Sequence, residues 1–341
     1  MGEAIVSSRP SNGPWSSSTP IQILPNACSL VITAKDSDNN PISNLIVRAQ
    51  FNNEGGVVTT HNYVTNYKGQ VYFLISAKDN KANITVTDYF SNKTRIVDQT
   101  PVSSTISLVN NTRINNTIVM QYRKNILLSS NENVCFIVSN YADVYVIGGG
   151  GSRGHSIHSS STRGGAGGGG ALNHSIGYQV QQFIPYNIIL AKNVYYDSQQ
   201  VPKSGETSAA FGLSANGGGN GGPAMNVSWQ SPEGWSVPYS VSGASGIGGI
   251  GTMRGGKGFG GYRVYSDYQD HINQSEQASY YSILPNVTGY NRNFINNIGR
   301  GGYEQQTNLP LVFGQGEDTV HTAVGSRGSG AGCVIINNMR K

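Results

Sequence analysis

Of the 45 glycines in this chain, five precede residue 148 and the rest fall between 148 and 332. They cluster at 148–151, 164–170, 217–222, 243–251, 255–261 and 325–332. Glycine loses more backbone freedom on folding than any other residue, so clusters of this size need a geometric reason. Three uses of clustered glycine are told apart by their neighbours. A nucleotide-binding loop needs Gly-x-Gly-x-x-Gly opening an amphipathic helix, or a Gly-Lys-Ser/Thr string. Neither is present. A flexible linker would not alternate with core-forming strings such as VYVIGG and GCVIIN. There remains a packed array of extended segments, with three residues per turn, in which the missing Cβ lets backbones approach and bond to one another. Glycine is far below one third of the chain and keeps no strict triplet, which excludes collagen. Gly149, Gly150, Gly168, Gly169, Gly218, Gly219, Gly249 and Gly256 are then expected to be packing positions.

The first part of the chain has another pattern. Residues 1–22 form a Ser/Pro-rich arm without periodicity, a kind of segment that orders on a partner. Over 23–120, LVITAKD, LIVRAQF, GQVYFLIS and NITVTDYF alternate apolar and polar residues or pair β-branched with aromatic ones. Turn-rich pieces such as DSDNNP, NNEGG and AKDNKA separate them, which predicts a β-sandwich. No useful amphipathic helix is expected. Ala34 and Asp36 before a turn, Asn40-Pro41 opening the next strand, and Thr65, Gly69 and Val71 give this region a pattern that resembles bacterial immunoglobulin-like domains of the invasin and intimin type. The resemblance implies a spacer or presentation module.

From 125 onwards, NVCFIV and DVYVIG read as strands, the second running into Gly148. GGAGGGGALN, the strand-like IGYQVQQFIPYNIILAKN, GETSAAFGLSANGGGNGG and a closing GSRGSGAGCVIINN follow. This order resembles the glycine-rich C-terminal domain of phage tail fibres and similar adhesins. The resemblance implies a β-sandwich over 125–341 with polyglycine II segments inserted between its strands. The fold class expected is therefore all-β: an immunoglobulin-like sandwich, then a sandwich with inserted glycine segments. The sequence departs from the family pattern in one place, a long glycine-poor insert at 262–313, and a second aromatic stretch, MNVSWQSPEGWSVPYS, spans 225–240. In such proteins, loops at the tips of the bundle carry recognition.

Charged residues are only 12% of the chain, roughly half the usual share, so its surface is built from neutral hydrogen-bonding groups. The net charge of +5 is spread thinly with no basic cluster, which gives no nucleic-acid footprint. No run of 18 apolar residues occurs, so no membrane insertion is expected. The N-terminus shows no apolar signal-peptide core. A protein made in the host cytoplasm and released as a virion component reconciles that with the extracellular-looking composition, and so would an export signal already removed. Cys28, Cys135 and Cys333 are odd in number, widely spaced and set mostly in apolar runs, so buried free thiols are expected rather than disulfides or zinc.

Trp229, Trp235, Tyr239, Tyr262, Tyr265, Tyr268, Tyr280, Tyr281 and Tyr290 are the candidate receptor-binding residues, because such rings give large rigid contact area with a polar tip. The competing role for each is cover over a glycine bundle that has no side chains of its own. His155 and His158, with His174 downstream, lack the further ligands a metal site needs, although a trimer axis can bring copies of one histidine together. Carboxylates are few and scattered; Asp267 and Asp270 could pair with another acid for glycoside cleavage, but no periodic scaffold orients them, and no Ser/His/Asp order is recognisable. No enzyme activity, cofactor or metal is expected. The function expected is a virion-surface tail or head fibre protein that binds a host receptor, protein or glycan, with the N-terminal arm joining other virion proteins and a homotrimer as its assembly. A structural capsid-decoration or shaft protein and a bacterial surface adhesin are the alternatives.

Overall fold

The computed structural model describes residues 27–52, 56, 58–76, 81–155, 164–194, 201–230, 236–241, 247–258, 262–265, 268–271, 275–302, 312–318 and 328–341. The expected attachment arm, 1–22, lies outside them. The chain is almost entirely β, as expected, with one five-residue helix among the described residues. It divides into two compact units. Unit 1 runs to Arg123 and adds Val134–Ser139 and Gln181–Pro185; unit 2 holds the remainder.

Unit 1 contains β1 (Ala27–Lys35), β2 (Leu45–Asn52), β3 (Val58–Val64), β4 (Gln70–Ser76), β5 (Lys81–Phe90), β6 (Arg95–Ile96), β7 (Gln99–Thr100), β8 (Val102–Ser107), β9 (Arg113–Val119) and β10 (Gln121–Tyr122). One sheet has the order β4-β1-β9, with β1 and β9 parallel. The facing sheet runs β6-β5-β2-β3, with β8 also on β5. Strand alternation makes the core: on β2, Leu45, Val47, Ala49 and Phe51 are buried while Arg48 and Asn52 are exposed. Leu45, Val47 and Phe51 each contribute about 1.5–3 kcal/mol by leaving water, and the Ala49 methyl less. Asp36 holds the first turn by accepting from the amides of Asp38 and Asn40 at 2.8 and 2.9 Å. Buried Thr65 donates to the Ile42 carbonyl at 2.7 Å and accepts from the Leu45 amide. Gly69 stands at φ +70° with no room for a Cβ against the Ala34 carbonyl.

The next two strands are β11 (Asn125–Leu128) and β12 (Glu132–Cys135). The end of β12 pairs in parallel with β6, so a piece of chain from beyond the sequence break at 125 completes unit 1. Its anchor is the buried Asp98 carboxylate, which accepts from the amides of Ile137, Val138 and Ser139 at 2.8–3.2 Å.

Unit 2 is built on a four-stranded sheet, β11-β22-β13-β14, with β13 (Tyr141–Ile147) and β14 (Leu172–Gln179). Small strands follow: β15 (Tyr186–Ile188), β16 (Ser208–Ala210) and β17 (Leu213–Ala215). Then come β18 (Met225–Gln230), β19 (Ser236–Val241), β20 (Tyr262–Tyr265) and β21 (Tyr268–His271), helix α1 (Arg292–Asn296), and β22 (Cys333–Arg340). The strand expected within 176–193 is displaced. It spans Leu172–Gln179, and the chain then crosses into unit 1 at 181–185 before the short β15. The core of unit 2 sets Leu127, Tyr145, Ile147, Leu172, Cys333 and Ile335 of the sheet against Tyr280, Leu284, Ile295, Ile298 and their neighbours. Part of the glycine-poor insert is therefore a packed layer.

Candidate functional site

The glycine segments leave the sheet at Gly148 and bond to one another with a period of three. Amides of Gly148, Gly151 and Gly154 donate to the carbonyls of Ala171, Gly168 and Gly165. Those of Gly149 and Ser152 donate to Glu206 and Lys203, and that of Gly150 to Gly330. In the neighbouring segment, Gly165, Gly168 and Ala171 donate to Gly222, Gly219 and Asn216. Gly167 and Gly170 donate to Glu317 and Gly314, and Gly169 to Gly256 at 2.8 Å. Partners recur every third residue, and paired segments run antiparallel. That is the geometry of three-residue extended helices, each bonded sideways to several neighbours. Residues 164–171 also accept from 151, 249 and 302, so this segment is enclosed by others.

Packing at this distance requires glycine. A Cβ on Gly150, Gly169, Gly218 or Gly256 would overlap the carbonyl of Gln315, Gly299, Gly168 or Glu276 respectively. On Gly249 it would meet the Asn216 carbonyl at 2.6 Å, and on Gly149 the Ala191 methyl at 2.9 Å. Gly219 is looser, with the Ile247 carbonyl at 3.1 Å. Gly168 accepts from Gly151 and donates to Gly219.

Side chains enter the bundle at a few points. Arg153 and Glu317, both buried, pair at 3.3 Å, and a second Glu317 oxygen accepts from the Arg153 amide. Tyr280 is 0% exposed, and its hydroxyl donates to the Gly170 carbonyl at 2.6 Å. It thus does what a further glycine segment would do at that point. This corrects its expected place among receptor-binding rings: it belongs to the frame.

The other candidates separate into two groups. Tyr281 and Tyr290 are exposed, at 42% and 37%, near α1. Tyr290 packs at a tilt against Phe294, ring centroids 5.0 Å apart, and Asn291 caps the helix by accepting from the Phe294 amide. The second group is brought together by strand pairing. β18, β19, β20 and β21 form one antiparallel sheet, although a glycine cluster separates β19 from β20 in sequence. The register opposes Val227 to Tyr239, Trp229 to Val237, Val241 to Arg263, and Tyr265 to Tyr268. Alternation then places positions 225, 227, 229, 237, 239, 241, 263, 265, 268 and 270 on one face. That face takes Trp229, Tyr239, Tyr265 and Tyr268. Tyr262, opposite His271, falls on the other face with Asn226, Ser228, Ser236, Ser240 and Gln269. Trp235 lies outside the described residues.

The remaining candidates have structural surroundings. His174 stacks on Tyr145 at 5.8 Å, the His155 carbonyl accepts from Ala224, and His158 lies outside the described residues. Among the described residues no three metal-ligating side chains gather. Asp270 stands opposite Arg263 in the strand register, while Asp267 lies outside the described residues. Cys28, Cys135 and Cys333 are free and buried, and burial pushes the Cys135 thiol up to about 12 and raises that of Cys333. Asp98, the Arg153–Glu317 pair and the Tyr280 cap carry no sequence signal. The ion pair joins residues 164 apart, and nothing in a tyrosine's neighbours along the chain says which ring a missing glycine segment will require. No protein-family model matches the chain, and a search of curated proteins finds no match.

Proposed function

We propose that this chain is a virion-surface protein of a tail or head fibre, which binds a host receptor through the aromatic face of the β18–β21 sheet. The glycine bundle is the rigid frame, unit 1 the spacer, and residues 1–22 the attachment to other virion proteins. The observation that carries the reading is the register. It gathers Trp229, Tyr239, Tyr265 and Tyr268, from two separate stretches, onto one face of one sheet. A frame bonded through its backbone offers little side-chain chemistry for choosing a partner. The sheet inserted into it supplies aromatic positions, with one opposed Arg263–Asp270 pair. Aromatic clusters of this kind dominate contact energies and stack on sugar rings.

The test is binding of the full chain to host cells. Trp229→Ala, Tyr265→Ala and Tyr268→Ala, made singly, are expected to weaken binding by about 1–2 kcal/mol for at least one variant, with melting unchanged. Binding that survives all three substitutions rules this face out. Parallel loss of binding and melting temperature makes the rings cover for the frame.

A further inference from the structure

One side of unit 1 is bounded by two strands that each end their sheet. Among the described residues β3 pairs only with β2, and β4 only with β1. The two lie on the same side of the sandwich, since Tyr63 of β3 meets Phe73 of β4 at 5.1 Å across the core. Neither VTTHNYV nor QVYFLIS contains a Lys, Arg, Asp, Glu or Pro. Natural sheets normally guard such edges with charge, proline or a bulge, because an open ladder recruits another strand. Here Val58, Val64, Tyr72 and Leu74 are exposed instead, and Tyr67 in the connection is 79% exposed. The first charge inward from the β3 edge is Arg48 on β2, opposite Asn62.

We infer that this side of unit 1 is a contact surface for the same side of a second copy of the chain. Two observations select that occupant. Among the described residues, β3, β4 and the connection between them carry no charge except Lys68, so these two edges offer little to a charged partner. β3 is also complementary to itself. Paired antiparallel about His61, its outer positions oppose Val58 to Val64 at both ends and Thr60 to Asn62 between them. A two-fold contact requires this self-matching. His61 and Tyr63 stay on the inner face, stacked on each other at 6.2 Å, and keep packing on Phe51 and Phe73.

The test is sedimentation of the full chain over a wide concentration range. A reversible dimer is expected. Tyr72→Lys and Val58→Lys place charge at exposed outward positions and should each weaken it about tenfold or more, without lowering the melting temperature. Val119→Lys, on β9 at the far edge of the β4 sheet and likewise exposed, should leave the dimer intact. If Tyr72→Lys fails to fold, Val58→Lys still decides. A chain that stays monomeric, a trimer in place of a dimer, or association unmoved by both edge substitutions overturns the inference. So does equal weakening by Val119→Lys.

Discussion

Gly218 and Gly219 are neighbours in one glycine segment, yet their surroundings differ. A methyl group on Gly218 would overlap the Gly168 carbonyl, which is fixed in its own bonds; on Gly219 it would meet the Ile247 carbonyl at 3.1 Å. Overpacking a rigid site costs about 1–3 kcal/mol, and more when backbone must move. Gly218→Ala should therefore lose about 3 kcal/mol and Gly219→Ala about 1 kcal/mol. Thermal melting that ranks them equal would mean the bundle gives way easily. Asp98 is a second residue whose effect is set by its surroundings. Burial raises its carboxyl above the usual 3.8, against the pull of the Ser139, Val138 and Ile137 amides. Folding thus favours the protonated form. Its stabilisation is complete below 3.8 and is lost as pH rises through the raised folded value. Relative to Asp98→Asn, the parent should gain stability as pH falls from neutral toward 4, measured by urea unfolding at each pH. A constant difference between the two would show that Asp98 titrates alike folded and unfolded.

At the level of elements, the layer formed by 278–298 shows what the glycine bundle needs from the rest of the chain. The Gly170 amide is met by the Gly314 carbonyl of another segment, whereas its own carbonyl is met by a tyrosine hydroxyl. Tyr280→Phe keeps the ring and deletes only that donor. It should cost about 1–2 kcal/mol in melting and leave cell binding unchanged, since a buried carbonyl left without its partner pays its desolvation. Loss of binding at unchanged stability would return Tyr280 to the recognition surface. Much of this architecture was legible in sequence. β1, β2, β4 and β5 follow from their alternation, β13 and β22 from apolar runs, and the packed array from glycines beside core strings. β3 was not, because VTTHNYV is mostly polar on both faces and is recruited by β2. Strand β14 was displaced because LNHSIGYQ is specified by pairing with β13, whereas the more apolar run after it is divided between the two units. The shared face of β18–β21 depended on register across a glycine cluster, which no local pattern encodes.

For the whole molecule, the chain passes from one unit to the other five times, first at Arg123 and last after Pro185, so neither unit is a continuous stretch of sequence. A fragment ending at Arg123 lacks Cys135, Ile137 and Val138 from its core, and the three amides that surround Asp98. It should be at least about 3 kcal/mol less stable than the same unit in the full chain, by denaturant unfolding followed on a unit 1 probe. An unchanged midpoint would show that the returning segments only decorate the sandwich.

The period-three bonding of the bundle has a consequence for how such a chain can change. Each glycine segment is read in triplets, with every residue assigned to one of three directions by its count from the segment's start. One inserted or deleted residue would turn all later ones by a third of a turn, much as a frameshift does. Ala166 would then swing toward a neighbour whose backbone has left room for nothing larger than hydrogen. Length is free to vary only between segments, where the count begins again, and the two hairpins of the aromatic sheet, β18–β19 and β20–β21, stand at such places.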